Sequence, residues 1–66
     1  MSPKRLGVTI KRERDKKGWT QEELARKVPI HRVYLAQIES AAKVPSIATL
    51  EKIAKALKVD VAKLLR

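Results

Sequence analysis

Arg32 and Gln37, five residues apart, are suited to paired hydrogen bonds with one flat partner. A guanidinium fork can meet O6 and N7 of guanine, and a carboxamide can meet N6 and N7 of adenine. Each also has a plainer role open to it: Arg32 on a phosphate or in solvent, Gln37 in solvent. Val33, beside Arg32, either touches a thymine methyl or packs. His31 reads as a turn or capping residue within reach of a phosphate, and Tyr34 either donates to a phosphate or packs half-buried. His31 is the only histidine and there is no cysteine, so His31 is a poor metal ligand and no metal site is expected. No serine, histidine and acid constellation and no glycine-rich phosphate loop is present, so neither an enzyme nor a cofactor site is expected.

The charge balance agrees with an anionic partner. Sixteen Lys and Arg stand against seven Asp and Glu, a formal charge of +9 on 66 residues. The excess gathers near the start, where Lys4, Arg5, Lys11, Arg12, Arg14, Lys16 and Lys17 face only Glu13 and Asp15. Such a field attracts nucleic acid or an anionic membrane, and a basic surface can also serve solubility alone. No apolar run approaches the ~20 residues of a membrane span and no signal-peptide pattern opens the chain, so no membrane partner and a cytoplasmic location are expected. Trp19 and Tyr34 are the only aromatics, too few for a single-stranded RNA surface built on base stacking.

Side chains that read an edge need a rigid carrier. The length fits one domain, residues 1–66, with an aliphatic core and no disulfide to supplement it. Pro3 suits a first helical turn, Leu6 and Ile10 share one face, and Gly18 after a lysine pair is a C-terminal stop, which predicts a helix over about 3–17. Thr20 and Glu23 form a capping box for a helix that buries Leu24, Ala25 and Val28. Pro29 should end it by forcing Val28 out of helical geometry. A helix over about 31–39 should turn Leu35 and Ile38 inward. Ser46 caps the clearest amphipathic segment, with Ile47, Leu50, Ile53, Ala54 and Leu57 at three- and four-residue steps. Asp60 caps a last short helix burying Val61, Leu64 and Leu65. The expectation is an all-α, compact five-helix bundle. Its second and third helices, joined by a tight turn near Pro29-Ile30-His31, form a helix-turn-helix, the arrangement that sets one helix in the major groove.

The stretches KKGWTQEELARKV, YLAQIES and PSIATLEKIAKALKV resemble the Cro and phage-repressor (XRE-like) helix-turn-helix family, from about Leu6 to Leu65. The resemblance implies a lambda-repressor-like fold and binding of double-stranded operator DNA as a symmetric homodimer, with no small-molecule substrate. By position it implies Arg32, Val33 and Gln37 as base readers. It places Gln21 near a phosphate and the reading helix, and Thr20, Ser40 and Lys43 at the DNA backbone, where His31 and Tyr34 are further candidates. Arg14 and Glu39 match a family ion pair. Lys4, Arg5, Lys11 and Lys43 are candidates for sequence-independent phosphate attraction. Pro29, Ala41 and Lys58 stand where the family often has glycine, and Glu13 where it is often apolar. Surplus apolar groups near Val44, Val59 and Leu65 are candidates for a dimer seam. The competing reading is a helical protein-interaction module, antitoxin-like or coactivator-like, because a fold alone does not fix function.

Overall fold

The computed structural model describes all 66 residues as five helices with no strand. These are α1 (Pro3–Lys16), α2 (Gln21–Lys27), α3 (Arg32–Glu39), α4 (Ile47–Leu57) and α5 (Val61–Leu65). Every start is capped by a side chain that takes an otherwise unpaired backbone N–H. Ser2 accepts from Arg5, Thr20 from Glu23, His31 from Val33, Ser46 from Thr49 and Asp60 from Ala62. The capping box of α2 is complete, because Glu23 Oε1 accepts from Thr20 N at 2.9 Å. That backbone bond holds the Glu23 carboxyl below its ordinary range.

Three helices end alike. At Gly18, Ala41 and Lys58 the chain turns left-handed, with φ of 72°, 66° and 59°. In each case the N–H of the next residue reaches back to the helix: Trp19 to Arg14 O, Ala42 to Gln37 O and Val59 to Ala54 O. This is the hydrogen-bonded cap that glycine usually serves. Ala41 and Lys58 therefore adopt a geometry that glycine serves best and carry the strain of a Cβ there.

The end of α2 departs from expectation. Val28 stays helical, at φ −68° and ψ −44°, with its N–H on Leu24 O at 3.0 Å and its side chain in the core. Packing and that hydrogen bond override the local preference imposed by the next residue. The helix stops because Pro29 has no N–H to offer Ala25 O, which accepts instead from Ile30 N at 2.8 Å. The Val28–Pro29 peptide is cis. The third helix begins at Arg32 rather than His31, which is its cap.

One cluster of twelve buried aliphatic residues is shared among the five helices, including Leu6 and Ile10 of α1, Leu24 of α2, Leu35 and Ile38 of α3, Leu50, Ile53 and Leu57 of α4 and Leu64 of α5. Trp19, Ile30, Tyr34, Val59, Val61 and Leu65 pack half-buried around it. Ile47, expected on the buried face of α4, is exposed, because as the first residue of that helix its side chain leans back beyond the N-terminal end. Glu13 is buried, and Lys16 (3.1 Å) and Lys63 of α5 (3.3 Å) meet its carboxylate. An ionic clasp thus joins α1 and α5. The Lys16 hydrogen bond holds the Glu13 carboxyl below its ordinary range, against the opposing effect of burial, with Lys63 assisting.

Candidate nucleic-acid interface

The geometry of α3 follows from its anchors. Leu35 and Ile38 are fully buried, and α3 packs against α1 and α2. At its C-terminal end, Gly7 of α1 lies directly against the backbone. A Cβ on residue 7 would sit 2.8 Å from Ile38 O and from Glu39 C, and nearer still to Glu39 O. Only glycine permits that approach.

Glu39 completes the anchorage. Its carboxylate accepts from Arg14 Nε (2.9 Å), from Arg14 Nη2 (3.0 Å) and from Gln21 Nε2 (3.1 Å). Arg14 Nη1 donates to Trp19 O at 2.7 Å. One buried arginine therefore joins α1, the turn before α2 and the end of α3. The Glu39 hydrogen bond raises the Arg14 pKa, so the guanidinium stays charged. The ion pair expected from sequence is present, and Gln21 is a third member of it, tied to α3.

The rest of α3 faces out. At about 100° per residue, Val33, Ala36, Gln37 and Ser40 fall opposite Leu35 and Ile38, and Arg32 and Gln37 stand about 140° apart on the two flanks of that surface. Arg32 is exposed, Val33 is 45% exposed and Gln37 is half-buried. The Arg32 guanidinium and the Gln37 carboxamide make no hydrogen bond within the chain, whereas the backbone oxygen of Gln37 accepts from Ala42, Lys43 and the Ser40 hydroxyl. Ala36 lies between the flanks and was not singled out from sequence, because a small apolar residue in a helix gives no periodic signal of its own.

The other candidates fall nearby with distinct commitments. His31 Nδ1 accepts from Val33 N at 3.1 Å, which leaves Nε2 as the ring nitrogen open to a partner. Tyr34 packs half-buried, and its hydroxyl makes no bond within the chain. Thr20, Ser40 and Lys43 are exposed. Trp19 is flanked by two ammonium groups, Lys27 Nζ at 4.7 Å and Lys17 Nζ at 5.5 Å from the ring centroid. Lys4, Arg5 and Lys11 are exposed along α1.

The fold that lays this helix open is shared with known proteins. The family model described as helix-turn-helix matches residues 10–64. The chain belongs to that family, in its Cro and phage-repressor branch. The ImmF control region 10 kDa protein of Bacillus phage phi105 is 39% identical over 57 residues, 86% of this chain and 63% of that protein. The immunity repressor protein of the same phage is 43% identical over 56 residues, 85% of this chain and 39% of that one. The chain thus spans under two thirds of either relative. The N-terminal DNA-binding domain of SinR from Bacillus subtilis superposes with a TM-score of 0.88 at 40% identity, covering 92% of this chain and 90% of that one. SinR is also known in complex with DNA.

Proposed function

We propose that this chain binds specific sites on double-stranded DNA and regulates transcription as a two-fold homodimer on a palindromic operator, in the cytoplasm. The observation that carries the reading is the exposed face of α3. It offers a free guanidinium and a free carboxamide on its two flanks and is fixed from behind by Leu35, Ile38 and the Arg14–Glu39–Gln21 network. Support also comes from the phage repressor relative and from the DNA-bound form of SinR.

In this mechanism the excess positive charge releases counterions from any duplex, giving weak, salt-sensitive association. Thr20, Gln21, His31, Tyr34, Ser40 and Lys43 hold the chain on the DNA backbone, which sets register without reading sequence. Arg32, Val33 and Gln37 read base edges in the major groove. One such surface reads too few base pairs for a unique site. Two-fold symmetry doubles the site, with half-sites about 34 Å apart. The exposed Val44 and Ile47, with the half-buried Val59 and Leu65, supply the apolar surface for the seam.

Selection of bound sequences from a random duplex pool tests specificity and palindromy together, and an unenriched pool defeats the reading. Arg32→Ala is then measured on the selected site and its single-base variants. The expected loss is about 1–3 kcal/mol, with relaxed preference at one base pair per half-site. An equal loss on every duplex moves Arg32 to a phosphate.

A further inference from the structure

The outward side of α1 belongs neither to the core nor to the α3 surface. Leu6, Gly7, Ile10, Glu13 and Arg14 are buried on its inner side, against α3 and α5. At about 100° per residue, Arg5, Val8 and Arg12 fall opposite them. Val8 is 53% exposed, an aliphatic side chain standing among cations. Two shallow depressions meet at Val8 and Arg12, one running toward Lys4, Arg5 and Thr9, the other toward Lys11, Asp15 and Lys16. The charges on this surface are unevenly matched. Asp15 is taken up by Lys11 at 3.5 Å and Arg14 at 3.3 Å, and Lys16 by Glu13 at 3.1 Å. Lys4, Arg5 and Arg12 meet no carboxylate, and Arg12 donates only to Thr9 Oγ1 at 3.4 Å.

We propose that this face docks an acidic helix of a protein partner. Two carboxylates of that helix grip Arg5 and Arg12, and an aliphatic side chain between them seats on Val8. Seven residues separate the two arginines, a rise of about 10 Å, which a partner helix reproduces with acidic residues at the same seven-residue spacing. A guanidinium takes a carboxylate with two parallel hydrogen bonds, so paired arginines give this geometry direction as well as charge. Val8 favours an acidic protein over another duplex, because an aliphatic side chain of a partner helix covers it better than a sugar-phosphate backbone does. Because α3 packs on the other side of α1, the partner and the ligand of α3 can be held together. The inference does not depend on what α3 binds.

The test is a nuclear magnetic resonance titration of the isotope-labelled chain. The probe is a synthetic alanine-rich helical peptide with two glutamates seven residues apart and a leucine between them. Amide shifts are expected to concentrate between Lys4 and Lys16. Affinity should fall about fivefold or more in the Arg5→Gln, Arg12→Gln double variant, as suits two exposed ion pairs. It should fall also in Val8→Ser and with a peptide carrying glutamine for glutamate. All three positions are exposed, so circular dichroism should stay unchanged. The proposal is overturned by any of four results: no shifts at millimolar peptide, shifts confined to α2 and α3, equal binding of the glutamine peptide, or a random duplex giving the same shifts between Lys4 and Lys16 with the same dependence on Val8.

Discussion

Replacing Glu39 by alanine tests the account of how α3 is held. The Glu39 side chain is 4% exposed and that of Arg14 is 8%. Truncation removes three hydrogen bonds at once, two from Arg14 and one from Gln21. The Arg14 guanidinium keeps Trp19 O at 2.7 Å and Asp15 at 3.3 Å, but Asp15 is largely in solvent and replaces little. Stranding one partner of a buried pair costs about 3–5 kcal/mol. At about 2.1 cal/mol/K per residue, 66 residues have an unfolding entropy near 0.14 kcal/mol/K, so the melting temperature should fall by about 20 °C or more. The same variant should melt α3 first, seen as early loss of amide protection at Leu35 and Ile38. The assay is thermal and urea unfolding by circular dichroism, with Arg14→Met, Glu39→Leu and the Arg14→Met, Glu39→Leu pair forming a double-mutant cycle beside it. The double variant should recover much of the loss, since an apolar pair of similar volume can replace a buried ion pair. A loss below about 1 kcal/mol for Glu39→Ala would refute the reasoning, because surface pairs cost no more than that.

Three further outcomes are expected. Gly7→Ala should destabilise by about 1–3 kcal/mol and weaken operator binding, because the new methyl meets α3 backbone rather than a yielding side chain; an unchanged urea midpoint would show that the two helices are not in contact there. Lys58→Gly should stabilise by about 0.5–1 kcal/mol, the relief of left-handed strain less the entropy glycine loses on folding, with a higher melting temperature as the readout. Glu13, whose carboxyl is held below its ordinary value near 4.5, contributes stability that is fully present above that value and lost as pH falls through the lower, folded-state value. Urea unfolding of Glu13→Gln and the parent from pH 7 to pH 3 should show the gap between them shrinking with acid, and parallel curves would contradict the clasp with Lys16 and Lys63.

Much of this fold was legible because its boundaries are written locally. Thr20 with Glu23, Ser46 and Asp60 each commit to a helix start within four residues, and the stepping of Leu50, Ile53 and Leu57 commits one face of α4. The exposure of the candidate face was legible too: Arg32 and Val33 stand exposed because Leu35 and Ile38, on the same short helix, are claimed by the core. What stayed hidden is non-local. Gly7 lies in mid-helix, and its need for no side chain arises from a backbone more than thirty residues away. Glu13 looked misplaced until α5 brought Lys63 to it. Ile47 fits the apolar stride of α4, yet it is exposed, because a stride marks a face of the helix and not which of its residues find a neighbour. Val28 shows tertiary packing overruling a neighbour's local bias.

The clamp on α3 is one-sided. Gly7, Arg14 and Gln21 all act at its C-terminal end, while Arg32 and Val33 at the other contribute no side chain to the interior. Substitutions at those two positions leave the folding free energy nearly untouched. A lineage of such chains can therefore exchange that pair of surface residues freely, without having to solve the problem of folding again.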